Sequence, residues 1–301
     1  MSPGTQGVLV MAYGTPAGID DIERYYTDIR HGRPPTPELL QELTDRYQAI
    51  GGRSPLLEIT TAQARGLEER LGGPRVYLGQ KHSTPFIRDG VEAMKADGVT
   101  DAVGLVLAPH FSAMSIGDYE RRTRTAAAEL GWTGTLHMVK SWHVEPGYIS
   151  LLAERVKDAI ASLPPDAGEP VVAFTAHSLP ERILQKGDPY PDQLRATGEQ
   201  VAATLALKEW RIGWQSAGRT ADPWLGPDVL EMLEEEANAG RTAMVVCPCG
   251  FVADHLEVLY DLDIEAASHA AKLGIAFTRT ASPNTDPAFL DTLATVVRRA
   301  L

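Results

Sequence analysis

The chain has 301 residues, 44% apolar and 23% charged, an ordinary globular composition that excludes disorder as its main character and fits two domains. Its 28 basic and 40 acidic residues leave a net charge of -12, which excludes a nucleic-acid backbone as principal partner and obliges any anionic ligand to meet a local basic patch. Two cysteines, Cys247 and Cys249, cannot build a disulfide framework, and no apolar run approaches the ~20 residues of a membrane span. The composition therefore reads as a soluble protein of the reducing cytoplasm, without a membrane span.

Short apolar runs alternate with stretches of helical periodicity, the pattern of βα units around parallel sheets. In chain order the expected strands cover 8–13, 75–80, 102–108 and 135–140, then 171–176, 211–216, 243–247 and 275–279. Amphipathic stretches lie between and after them at 37–49, 56–71, 85–96, 118–130, 147–163, 191–207, 227–238 and 286–300. Several carry Pro in the first turn, where a missing N–H does no harm. The Pro/Gly punctuation after Glu145 divides the chain into an N-terminal domain, 1–145, and a C-terminal domain, 146–301. Four strands in each half suggest two similar α/β units with diverged sequences, the last helix packing back on the first unit.

In open α/β sheets ligands bind beyond the carboxyl ends of the strands. Those ends are polar here: Tyr13-Gly14-Thr15, Lys81-His82, Pro109-His110-Phe111-Ser112, His177-Ser178-Leu179-Pro180 and Gln215-Ser216. His82, His110 and His177 occupy equivalent positions, and imidazole both moves a proton near neutral pH and ligates metals. The alternative for each is a capping hydrogen bond. After the seventh strand, Asp254, Glu257, Asp261 and Glu265 fall at i, i+3, i+7 and i+11, one acidic face if the segment is helical. Such a face is either a solvated surface or a path for a cation. There is no G-x-G-x-x-G and no phosphate-binding P-loop, and Gly213-Trp-Gln-Ser216-Ala-Gly218 misses the nucleophile-elbow spacing by one residue. The Cys247-Pro248-Cys249 pair is tighter than zinc spacing and has no second pair.

Together the runs Leu9-Val-Met-Ala-Tyr13-Gly-Thr-Pro, Leu107-Ala-Pro-His-Phe-Ser112, Ala176-His-Ser-Leu-Pro180, Gly213-Trp-Gln-Ser216, Pro223-Trp-Leu-Gly-Pro227 and Gly250-Phe-Val-Ala-Asp-His-Leu-Glu257 closely resemble ferrochelatases. The resemblance covers nearly the whole chain and is nearest to the compact branch that acts on coproporphyrin III. It implies a chelatase fold of two Rossmann-like domains, each a four-stranded parallel sheet flanked by helices, with the porphyrin in the cleft between them. It implies insertion of Fe²⁺ into coproporphyrin III, with protoporphyrin IX as the alternative substrate and a non-catalytic haem-binding protein as the alternative class. Carried over by position, His177 and Glu257 are the catalytic pair on one porphyrin face, and Asp261 and Glu265 extend the acidic path for metal or protons. Tyr13 is the iron ligand on the other face, while Arg30, Arg46, Ser54 and Tyr119 anchor propionates. Lys81, His82 and Trp224 line the cleft, whereas Arg33 and Arg53 are better read as surface ion pairs. Cluster-bearing relatives use four cysteines, so with two this chain is expected to hold no iron–sulfur cluster and no cofactor beyond the substrate iron. The resemblance further implies a monomer in transient contact with another haem-pathway enzyme.

Overall fold

The alternation of side chains along the first strand decides the layering. In the computed structural model, which describes residues 5–220 and 222–301, β1 (Gln6–Ala12) sends Val8 and Val10 into one core and Leu9 and Met11 into another. Burial on both faces is what a central parallel strand requires. β1 pairs in parallel with β2 (Arg75–Gln80) and β3 (Asp101–Val106), and β4 (Thr135–Met138) completes a sheet of order β2-β1-β3-β4. The second half repeats the plan: β5 (Val171–His177) is central, between β6 (Trp210–Gln215) and β7 (Ala243–Cys247), with β8 (Ala276–Arg279) outside β7. The two similar Rossmann-like units expected from the strand count are thus present, with the same strand order and all-parallel pairing.

Helices cover these sheets: α1 (Ile22–Ile29), α2 (Pro37–Ala49), α3 (Leu56–Leu71), α4 (Ile87–Ala96), α5 (Ile116–Leu130), α6 (Pro146–Ser162), α7 (Tyr190–Leu205), α8 (Val229–Asn238), α9 (Leu256–Leu259), α10 (Ala267–Leu273) and α11 (Pro287–Ala300). Their ends follow local chemistry. Thr36 accepts the Leu39 N–H ahead of Pro37 at the start of α2, Asp228 and Glu231 cap α8 reciprocally, and Gly131 closes α5 in the left-handed region. The expected helices do not include α1, an amphipathic helix of eight residues that buries only Ile22 and Tyr25.

The largest core is common to both halves: Val8, Val10, Leu67 and Leu105 pack in one cluster with Val172, Phe174, Val245, Phe289 and Leu293. α11 lies against α3 and α6. Arg70 reaches Asp291 at 2.6 Å, and a Cβ on Gly66 would stand 2.6 Å from a Leu290 methyl, so glycine sets the approach of α3 to α11. A second close approach builds the site. A Cβ on Gly250 would lie 2.5 Å from that of Ala176, and the Gly250 N–H donates to the Thr175 carbonyl at 2.9 Å, which draws the loop after β7 across the end of β5. Among the described residues no helix is long and apolar enough to cross a membrane.

Candidate active site

His177 closes β5, and the crossing loop delivers Glu257 beside it on the first turn of α9. The imidazole Nε2 lies 3.6 Å from Glu257 Oε1, and His255 Nε2 lies 3.6 Å from Glu257 Oε2. Nδ1 of His177 stands 2.5 Å from the Ser178 carbonyl oxygen, so Nδ1–H donates there and Nε2 is the nitrogen turned toward the carboxylate. The Tyr190 hydroxyl donates to the His177 carbonyl at 3.0 Å and fixes the main chain below the ring. Both side chains are about one-third exposed, 36% for His177 and 30% for Glu257, and so face the cleft. Desolvation opposes the charge on each, yet their mutual attraction prevails: the pKa of His177 is raised to about 9 and that of Glu257 falls well below the carboxylate range. Near neutral pH the resting pair is an imidazolium facing a carboxylate.

Asp261 comes one turn further on, in a π-helical segment from Asp261 to Ala266. Desolvation and the nearby Glu257 charge raise its pKa to about 6, against the lowering effects of the Ser216 hydroxyl, which donates to Oδ2, and of Arg46. Arg46 Nη1 approaches Asp261 Oδ1 at 3.3 Å, and its guanidinium lies over the Tyr260 ring. The residue read as a propionate anchor is thus joined to the acidic path across the cleft. Glu265 sits half-buried on the same segment. The single acidic face drawn from Asp254 needs correction. His255 is extended, the helix begins only at Leu256, and Asp254 lies outside it, its carboxylate accepting from Ser282 and Asn284 at 2.8 and 2.7 Å with Arg279 at 3.3 Å. Those partners satisfy the charge locally and leave it no place in the cleft.

At the end of the first sheet Tyr13 follows β1 and is 42% exposed, so its ring meets the open cleft. Desolvation and the Glu257 charge hold its phenol well above the ordinary range, opposed by the Arg122 charge. It leans on His82 at 4.7 Å between ring centroids, and Lys81 Nζ lies 5.5 Å from the centre of its ring and 5.0 Å from that of Tyr119. Lys81 pairs with Asp118 at 2.8 Å, a carboxylate shared with Arg121 and Arg122. His82 is buried with Nδ1 2.5 Å from Asp28; desolvation dominates and lowers its pKa to about 4, leaving a neutral ring that donates to Asp28. Arg30 is half-buried over Tyr26 and donates to the Arg33 carbonyl, while Ser54 is buried and accepts the Leu56 N–H. Arg53 makes an exposed ion pair with Glu58 at 3.0 Å.

His110 is the strand-end histidine that stays out of the cleft. It is buried, bonded through Nε2 to Thr197 Oγ1 at 2.9 Å, and burial lowers its pKa to about 3, so here the structural reading of a hydrogen-bonded histidine applies. Missed by reading along the sequence were the support of Glu257 by His255 and the Lys81–Asp118–Arg122 network. The first had a visible signal, a histidine two residues before the acid.

The family model described as Ferrochelatase matches residues 5–301. The chain belongs to the ferrochelatase family. Among individual ferrochelatases, it is 50% identical over 301 residues to the coproporphyrin III ferrochelatase of Geobacillus kaustophilus, with 97% of this chain and 95% of that one covered. It is 48% identical over 309 residues to that of Bacillus subtilis, with 100% and 99% covered. Among solved structures, SirB from Bacillus subtilis with Fe³⁺ superimposes with a TM-score of 0.63 at 14% identity, covering 98% of this chain and 95% of that one. CbiX, described as the terminal enzyme for biosynthesis of siroheme in denitrifying bacteria, gives 0.53 at 14% identity, covering 98% and 99%. These two establish the chelatase fold of two parallel-sheet units, and the sequence relatives establish the ferrochelatase assignment.

Proposed function

We propose that this chain inserts Fe²⁺ into coproporphyrin III in haem biosynthesis, releasing the two pyrrole N–H protons. The observation that carries the reading is the His177–Glu257 pair at 3.6 Å, open to a cleft whose other wall presents Tyr13. The low pKa of Glu257 keeps a carboxylate available to attract Fe²⁺ and replace its waters. As the cation approaches, His177 gives its Nε2 proton to water in the cleft, and the freed Nε2 accepts the two pyrrole protons in turn, discharging the first to water before taking the second, its Nδ1–H still held by Ser178. Asp261, with a pKa of about 6, accepts and returns protons near neutral pH and passes them toward Glu265. Among the described residues no three His, Cys, Asp or Glu side chains converge as a preformed metal site. A transient pair of ligands suits an ion that must leave for the macrocycle.

On the opposite wall Tyr13 offers a phenol whose raised pKa keeps it protonated until iron is present. A ferric product would displace that proton and be held by a hard oxygen donor. Arg30, Ser54 and Tyr119 anchor propionates, with Arg46 shared between a propionate and Asp261. The burial of Cys247 and Cys249 supports a packing role for both thiols.

The test is an anaerobic absorbance assay of Fe²⁺ insertion into coproporphyrin III and protoporphyrin IX. Faster turnover of coproporphyrin III is expected. Preference for protoporphyrin IX would overturn the substrate, and tight metalloporphyrin binding with no insertion would overturn the enzyme reading.

A further inference from the structure

Gln215 ends β6 directly opposite His177 in the parallel pairing with β5, and it is 3% exposed. Both ends of its carboxamide are engaged. Nε2 donates to the main-chain carbonyl of Glu257 at 3.1 Å, and Oε1 accepts the Thr175 hydroxyl at 2.9 Å. A carbonyl only accepts, so the nitrogen must face Glu257, and the amide orientation follows from its partners. The main-chain carbonyl of Gln215 also takes the Ser178 N–H at 2.8 Å. One buried residue is therefore bonded to the residue two before His177, the residue after it, and Glu257 itself.

We propose that Gln215 is a positioning residue for metal insertion, its carboxamide fixing the separation of His177 from Glu257. The inference rests on the reading that these two residues perform the chemistry. Glu257 lies in the first turn of a helical run that continues through 261–266 into α10, where the main-chain N–H groups have no partner in the ladder, and the bond to β6 supplies a reference point at that end. Thr175 completes the device by holding the Gln215 oxygen, leaving only the nitrogen free to reach Glu257.

Gln215→Met keeps the length and volume of the side chain but removes its donor. With Zn²⁺ and coproporphyrin III as probes, kcat should fall about 10- to 100-fold, the cost of roughly an ångström of misplacement. The KM for porphyrin should stay within about threefold of wild type, because the anchors are untouched. Thr175→Val should lower kcat and Thr175→Ser, which keeps the hydroxyl, should restore it; the double variant Gln215→Met/Thr175→Val should be no slower than the worse single one. The Thr175 pair decides the matter if Gln215→Met does not fold. Unchanged kcat in Gln215→Met, a loss that only tracks the unfolded fraction by circular dichroism, or a Thr175→Ser variant as slow as Thr175→Val would overturn the proposal. Glu257→Gln in the wild-type background separates the two readings: if it retains the rate, the assignment of the pair fails, whereas a dead Glu257→Gln beside a fully active Gln215→Met removes only the role of Gln215.

Discussion

The two sheets share one strand order but oppose each other in protonation. Tyr13 and His177 terminate the equivalent central strands β1 and β5. Around Tyr13 the cations Lys81, Arg121 and Arg122 converge on Asp118, and buried His82 is neutral, its pKa lowered to about 4. Around His177 the nearest charges are carboxylates, and the imidazole is raised to about 9. Both strand-end histidines face an acid, Glu257 at 3.6 Å from the loop after β7 for His177 and Asp28 at 2.5 Å for His82, and burial decides between them. His82 is buried and desolvation keeps it neutral, whereas half-open His177 is held charged by Glu257.

The largest effect expected from this contrast comes from the reactive end. Glu257→Gln keeps the shape and removes the charge, and should cost about 10²–10⁴-fold in insertion rate, the usual worth of acid–base and charge catalysis. It should also return the His177 pKa toward the ordinary imidazole range, as read by NMR titration. Tyr13→Phe, at the other sheet, should change the spectrum of the ferric product while leaving the rate within about tenfold. Equal losses in the two variants would erase the division between the sheets.

The pH profile sharpens the contrast next. His177 must be neutral to accept a pyrrole proton, and its pKa in the free protein is about 9, so kcat/KM should climb from pH 7 and level off above about 9. A flat profile across that interval would contradict the assigned proton acceptor. A smaller effect is expected for Arg30→Ala: one charge-assisted hydrogen bond among several is worth roughly 1.5–3 kcal/mol, so the KM for porphyrin should rise about 10- to 100-fold with kcat little changed.

The smallest effects lie in stability, and the histidines should move it in opposite directions. His82 and His110 have folded pKa values below the unfolded imidazole value, so the stability they contribute is present above pH 6.5 and is lost on acidification toward pH 4 and below. His177 has a raised folded pKa; its contribution is present below pH 6.5 and is lost as pH rises through about 9. His110→Gln should therefore lose about 2 kcal/mol less than wild type between pH 7 and 5, measured by urea unfolding at each pH.

Both sheets could be read from the sequence because parallel strands buried on two faces are short, apolar and rich in branched residues, as 171–176 and 243–247 are. That Tyr13, His177 and Glu257 would face one cleft could be anticipated because strand ends are where such a fold gathers polar side chains. What escaped was pairing at long range. Asp254 leaves the acidic face because Ser282 and Asn284, about 30 residues downstream, take its carboxylate. Arg46 meets Asp261 across 215 residues, and His110 finds Thr197 across 87. No local periodicity encodes these partners, so an arginine held by a cleft acid and a packing histidine cannot be recognised by position along the chain.

The core shared by the two sheets constrains how such a molecule can be divided. Val8, Val10, Leu67 and Leu105 share one cluster with Phe289 and Leu293 of α11, which packs on α3, β3 and α6, so the first half does not close its apolar face without a helix from the end of the chain. Heating should give one cooperative calorimetric transition, with no step in which a single sheet survives.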